Sequence, residues 1–204
     1  MHEKLYALPE LLYGYGDLAP AMTEEQLKIH HSKHHAAYVT GANAILEKLD
    51  KARAEKGEVD LKAELKALSF NIGGHVLHSL FWENLAPAGN GGGGEPGDKL
   101  GEAITHQYGD FKRFKEEFIK VLMTTEGSGW AGLSYCALTG KLILTQIEKH
   151  NVNLYPNLKI LMVVDAFEHA YYIDYKNEKS KYFDAIWNVV NWGKVNERYG
   201  QVAR

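Results

Sequence analysis

The sequence has a single cysteine, Cys136, in 204 residues, so it can form neither an internal disulfide nor a thiolate metal cluster. Any metal must be held by nitrogen and oxygen. An excess of positive charge is also missing, since 23 basic residues against 26 acidic ones leave a net charge of -3. That balance lacks the basic footprint with which nucleic-acid binders displace counterions, and no nucleic-acid partner is expected. Long hydrophobic runs are absent. The longest, such as 160–164, fall far short of the ~20 residues that cross a bilayer, and the opening MHEKLYALPELLYGYG lacks the apolar stretch of a secretion signal. No membrane partner is expected, and the expected location is cytoplasmic. Two glycine patterns also fail as nucleotide sites. The run between Pro87 and Gly97 has no Lys-Ser/Thr behind it and no strand before it, while Gly14-x-Gly16-x-x-Ala19 is followed at once by Pro20.

What is present is an ordinary globular composition, 45% hydrophobic and 24% charged, in a chain long enough to bury roughly 70% of its unfolded surface. Thr23 with Gln26 reads as a capping box that opens one long helix to about Leu49. A polar turn over 52–58 follows. Asp60 then caps a second helix to about Asn84, with Leu61, Leu65, Leu68, Ile72 and Leu77 near helical spacing. Beyond the glycine-rich link, Asp98 and Asp110 read as N-caps, and Phe111, Phe114, Phe118, Val121 and Leu122 mark an amphipathic helix. The period then changes. Residues 130–137 and 142–147 read as strands joined by a hairpin at Leu138, Thr139 and Gly140, and 158–164 as a third buried strand. Two closing helices, broken near Asn191 and Gly193, complete the chain. The expected fold is α+β: a long N-terminal helical hairpin over 1–89, then a mixed α/β domain over 90–204 with a three-stranded antiparallel sheet flanked by helices.

Ten histidines stand out, six of them within 29–35 and 75–78. His30, His34 and Tyr38 are spaced by four and share one helical stripe, while His31 and His35 form a second stripe rotated by about 100°. Only one stripe can face the interior fully. On the second helix, His78 lies one turn before Phe81 and Trp82. Asp165 ends an apolar strand, an expensive position for a carboxylate unless it is paired or bound to a cation, and His169 follows it. One histidine from each of two facing helices, with Asp165 and His169, supplies three imidazoles and one carboxylate. That set suits iron, manganese or zinc better than calcium or magnesium. Trp82, Trp130, Trp187 and Trp192 read first as core, and Trp82 and Trp130 are the candidates to wall a dry metal site.

The strings IHHSKHHAAYV, GGHVLHSLFWENL, GSGWAGL, DAFEHAYYIDY and WNVVNW, in this order and across nearly the whole chain, closely resemble the iron/manganese superoxide dismutases. The resemblance implies that His30, His78, Asp165 and His169 ligate one iron or manganese ion per chain, with a solvent molecule as fifth ligand. It implies that Tyr38 and His34 line the substrate channel. Glu168 and Tyr172 would reach His169 and His34 of a second copy in a homodimer or homotetramer, and Lys33 and Arg198 would steer superoxide. Family members commonly carry a glutamine that bonds the metal's solvent, either at the place of Gly74 or near position 150. Here His150 takes its place, a pattern similar to archaeal iron-type members, and Phe167 stands where tryptophan is common. The implied reaction converts two superoxide anions to dioxygen and hydrogen peroxide, with Tyr38, His34 and the solvent as proton donors. A zinc hydrolase or a non-haem iron oxygenase uses similar ligands. Four protein ligands argue against the oxygenase, and the absence of an HExxH helix argues against a peptidase. A helical binding module with structural histidines is the non-enzymatic alternative.

Overall fold

The computed structural model describes residues 6–203, so the first five residues of the N-terminal stretch lie outside it. α1 (Glu24–Ile29) starts where Thr23 Oγ1 accepts a hydrogen bond from the Gln26 N–H at 3.2 Å. The return half of the capping box does not form. Thr23 N–H instead donates to Asp174 Oδ2 at 2.8 Å, and the Gln26 carboxamide turns to residues 169 and 173.

α1 runs through a π-helical turn (His30–His35) into α2 (Ala36–Glu55). At the turn the Ala36 N–H reaches back to His31 O, one residue further than in an α-helix. This widened turn overturns the expectation that only one histidine stripe can be buried: His30, His31 and His35 are all buried and His34 half-buried. α2 also outruns the expected turn over 52–58. Ala52 to Glu55 are good helix formers, and the stop comes at Lys56, in a left-handed conformation (φ 53°), with Gly57 N–H bonded to Ala52 O at 2.9 Å. α3 (Leu61–Glu83) is capped by Asp60, whose Oδ1 accepts from Ala63 N–H at 3.0 Å, and packs along α2. Its first turns reach beyond the core, leaving Leu61 and Leu65 about half exposed.

After the glycine-rich link come α4 (Asp98–Tyr108) and α5 (Phe111–Thr124). Asp110 caps α5 as expected, accepting from Arg113 N–H at 2.7 Å. Asp98 does not cap α4; Gly97 holds that position, and the Asp98 carboxylate accepts from Asn196 Nδ2 at 3.2 Å. β1 (Gly129–Cys136), β2 (Lys141–Glu148) and β3 (Leu158–Asp165) form an antiparallel sheet in the order β2-β1-β3. β1 is central and buried along its whole length, with α5 packed on it and α3 and α8 on β3. α6 (Tyr172–Tyr175), α7 (Lys179–Ile186) and α8 (Trp192–Val202) close the chain. The break before α8 falls at Asn191, its N-cap, whereas Gly193 lies inside the first turn.

The register of β1 on β3 pairs Trp130 with Asp165, bringing both to the sheet end that meets the hairpin. Asn84, at the end of α3, fixes that meeting: its Nδ2 donates to Val163 O at 2.9 Å and its carbonyl accepts from Asn191 N–H at 2.6 Å.

Candidate metal centre

Asp165, the last residue of β3, is fully buried. Its Oδ1 accepts from the Phe167 N–H at 2.8 Å, which leaves Oδ2 for the site. Three imidazoles converge on Oδ2: His30 Nε2 from the π turn at 3.1 Å, His169 Nε2 from the 3-10 turn Glu168–Ala170 at 3.1 Å, and His78 Nε2 from α3 at 3.6 Å. The four potential ligand atoms lie within 4.8 Å of one another. Burial alone would raise the Asp165 pKa, but the charge and hydrogen bond of His169 and the hydrogen bond of His30 hold it well below the usual carboxylate range. Burial pushes the His30 imidazole down to about 4 and His78 well below its ordinary value.

The tautomer of His78 is decided by its other nitrogen. Nδ1 lies 2.6 Å from Gly74 O, a carbonyl that can only accept, so Nδ1 carries the proton and Nε2 presents a lone pair. That lone pair faces Asp165 Oδ2 with no protein hydrogen between them, and Nε2 has no hydrogen-bond partner. Two buried acceptors pointing at one another repel unless a cation lies between them. The donor set of three imidazole nitrogens and one carboxylate oxygen fits iron or manganese and leaves His78 and Asp165 satisfied.

Aromatic groups wall this point. Trp82 stands edge-on to His30 (centroids 4.8 Å) and Trp130 edge-on to His78 (4.9 Å). Trp82 Nε1–H donates to His35 Nδ1 at 2.9 Å, so His35 carries its proton on Nε2, which donates to His75 Nδ1 at 2.8 Å. His35 also stacks on His78, 5.3 Å away. His31, by contrast, anchors the N-terminal segment: its Nε2 donates to Pro9 O at 2.9 Å and its Nδ1 accepts from Tyr15 OH at 3.0 Å. His34 stacks on His169 at 4.4 Å and is half-buried. Tyr38 packs 5.2 Å from His78, and burial, with the Asp165 charge, raises its pKa well above the ordinary value.

His150 arrives from the far side. It is fully buried, stacks nearly parallel on Phe167 at 4.4 Å and stands 4.6 Å from Tyr38. Trp130 Nε1–H donates to its Nδ1 at 3.0 Å, so its own proton sits on Nε2, which has no protein partner.

Two glycines of α3 make room for this packing. A Cβ on Gly74 would fall 2.7 Å from Tyr38 Cγ, and one on Gly73 would fall 2.9 Å from the His150 carbonyl carbon and closer still to its oxygen. Gly73→Ala must displace the backbone of His150, and we expect a loss of about 1–3 kcal/mol, the usual cost of overpacking, measured by chemical denaturation. Unfolding at the wild-type midpoint would show that the backbone of His150 yields to the added methyl group without cost.

Two models of known families match the chain: the alpha-hairpin domain of iron/manganese superoxide dismutases over residues 5–86, and the C-terminal domain of the same enzymes over residues 96–198. Curated relatives agree. A "Superoxide dismutase [Fe]" of Methanothermobacter marburgensis is 55% identical over 98% of each chain. Another of that name from Pyrobaculum aerophilum is 47% identical over 98% of this chain and 97% of its own. A "Superoxide dismutase [Mn/Fe]" of Aeropyrum pernix is 45% identical over 97% of this chain and 92% of its own. The chain belongs to the iron/manganese superoxide dismutases.

The remaining residues to which the family resemblance gives a role divide by position. Glu168 and Tyr172 are exposed directly beside the buried cluster. Lys33 is exposed on the π turn. Arg198 is held elsewhere. Its Nη2 donates to Glu83 Oε2 at 2.6 Å, and its Nη1 donates to Leu161 O at 2.8 Å and to Asn84 Oδ1, so its charge is spent on the end of α3. Lys179, which the sequence reading passed over, is half-buried at the start of α7; burial lowers its pKa while the Glu168 charge opposes the shift. Nothing local in the sequence marks it, because its neighbour Glu168 is eleven positions away.

Proposed function

We propose that this chain dismutates superoxide at one iron or manganese ion held by His30, His78, Asp165 and His169. The observation that carries the reading is the His78 lone pair facing the Asp165 carboxylate, which calls for a cation at the meeting point of four buried donors. When bound, iron or manganese supplies one-electron chemistry, oxidising one superoxide to dioxygen and reducing a second toward peroxide. The protein supplies the rest. Asp165 stays ionised, burial keeps the His30 and His78 imidazoles neutral beside it, and its carboxylate would partly offset the cation's charge in a dry pocket. The two protons that convert the second superoxide to hydrogen peroxide come from solvent by way of His34 and Tyr38, and the raised Tyr38 pKa keeps its hydroxyl protonated between turnovers. His150 Nε2–H is a fixed donor toward the solvent of the site.

Lys33 on the π turn and Lys179 near Glu168 are the cations placed to draw in the anion, in preference to the neutralised Arg198. The boundary between the hairpin unit and the sheet unit lies after residue 89, in the glycine-rich link. Among the described residues no helix is long and apolar enough to cross a membrane, and we place the protein in the cytoplasm, where a free Cys136 stays reduced. Iron-loaded or manganese-loaded protein should consume superoxide and release peroxide. Zinc-loaded protein should be inert, and equal activity with zinc would exclude a redox mechanism.

A second copy completes the assembly, docking over the exposed Glu168 and Tyr172. Glu168→Ala is therefore expected to weaken the dimer and lower activity at dilute protein, with sedimentation velocity as the check. An intact dimer of unchanged activity would remove Glu168 from the interface.

A further inference from the structure

Gln26 is fully buried, four residues before His30 on α1, and its carboxamide spans the seam to the chain that follows β3. Its Nε2 donates to the carbonyl of His169 at 2.6 Å, and its Oε1 accepts from the N–H of Ile173 at 3.3 Å. Because a carbonyl only accepts and a backbone N–H only donates, both ends of the side chain are fixed by their partners. Only a carboxamide supplies a donor and an acceptor in this pose. A carboxylate of the same length lacks the donor, and an apolar isostere leaves His169 O and Ile173 N–H without these partners.

The same seam has two further ties. Thr23 bonds Asp174 through both its N–H (2.8 Å) and its hydroxyl (2.5 Å), and Tyr175 OH donates to Ala21 O at 2.8 Å. These hold α6 against the start of α1. Gln26 alone of the three touches the peptide of a residue whose imidazole enters the cluster. It thereby sets His169, which comes late in the chain, in register with His30, which comes early, through one turn of helix. We propose that Gln26 is a positioning residue for His169, fixing the approach of its Nε2 to the metal from the opposite domain. This rests on the metal-site reading above.

The test uses full-length protein loaded with iron, and compares Gln26→Leu and Gln26→Glu with Tyr175→Phe, which loosens the seam without touching His169. We expect both Gln26 variants to release iron to a chelator at least about 10-fold faster than wild type, the lower end of what loss of a ligand-orienting group costs, and to shift the ferric absorption band. Tyr175→Phe should release iron at the wild-type rate with an unshifted band. If Gln26→Leu does not fold, Gln26→Glu carries the comparison, since it keeps an acceptor for Ile173 and replaces the donor to His169 O with a carboxylate oxygen. Release rates equal among Gln26→Glu, Tyr175→Phe and wild type would overturn the proposal, and so would equal acceleration in Gln26→Glu and Tyr175→Phe, which would assign the effect to the seam as a whole. Wild-type protein that retains neither iron nor manganese would fail at the earlier step, and so points to the metal-site reading rather than to Gln26.

Discussion

Asp165→Ala is expected to abolish metal retention and superoxide dismutation together, and His30→Ala, His78→Ala and His169→Ala should do the same. Each removes one of four donors that converge from the π turn, from α3, from the end of β3 and from the 3-10 turn after it, so no neighbour can move in to replace it. Asp165 should be the most severe, because it provides the only negative charge of the set and both oxygens are committed, one to Phe167 N–H and one to the cluster. The check is metal content beside the melting temperature with and without metal. A ligand that binds only the folded state stabilises it by about 4 kcal/mol at a thousand times its Kd, so wild type should melt well above its own metal-free form. In the four variants that gap should close. His31→Ala is the control. It loses bonds to Pro9 and Tyr15, at a cost of about 1–3 kcal/mol for the groups left unpaired, yet should keep metal and activity. Metal loss in His31→Ala as complete as in His30→Ala would dismantle the assignment of the two stripes.

Much of the fold was legible because the signals were local. Thr23, Asp60 and Asp110 cap their helices through the bonds their side chains make three residues on, and the loss of helical period with short apolar runs located all three strands. Where the reading failed, a distant partner had won. Gln26 forsakes the capping box for His169, and Gly97 takes the cap from Asp98, whose carboxylate goes to Asn196. The π turn was invisible because no residue in IHHSKHH demands an extra backbone step. Burying His30, His31 and His35 at once, against partners from three segments, is what the wider turn accomplishes.

The site was legible in its residues and less so in its electrostatics. Three segments rich in histidine and carboxylate pointed to one centre, and the structure brings His30, His78, Asp165 and His169 together. Arg198 looked like a free cation because Glu83, Asn84 and the Leu161 carbonyl that bind it lie far off in sequence. His35 looked like the idle member of a second stripe, yet it holds the Trp82 indole and stacks on His78. Charge and orientation are properties of assembled neighbours, and spacing along the chain reports neither.

His150→Ala should keep the metal, shift its reduction potential and slow turnover, whereas His150→Gln should recover part of both. The argument starts from Trp130, whose indole N–H can only donate and therefore fixes the His150 proton on Nε2. Burial pushes the His150 pKa down to about 4, so the ring is neutral near pH 7 and keeps one N–H, buried without a protein partner, that in the proposed mechanism serves the site. A donor there stabilises site solvent when that solvent is more negative, and so biases how readily a proton is taken up as an electron arrives. Alanine removes that donor and leaves the Trp130 N–H buried without a partner, at a cost of about 1–3 kcal/mol in stability. Metal affinity should fall no more than the roughly 10 to 100-fold typical of losing a group that orients the ligands or their solvent. Glutamine restores the pattern in principle, its oxygen accepting from Trp130 and its amide nitrogen donating to the site. Phe167, stacked on the imidazole, would pack against the shorter amide less fully, and recovery should be partial. Potentiometric titration of metal-loaded wild type, His150→Ala and His150→Gln gives the answer: coincident midpoints with equal turnover would reduce His150 to a packing residue beneath Trp130.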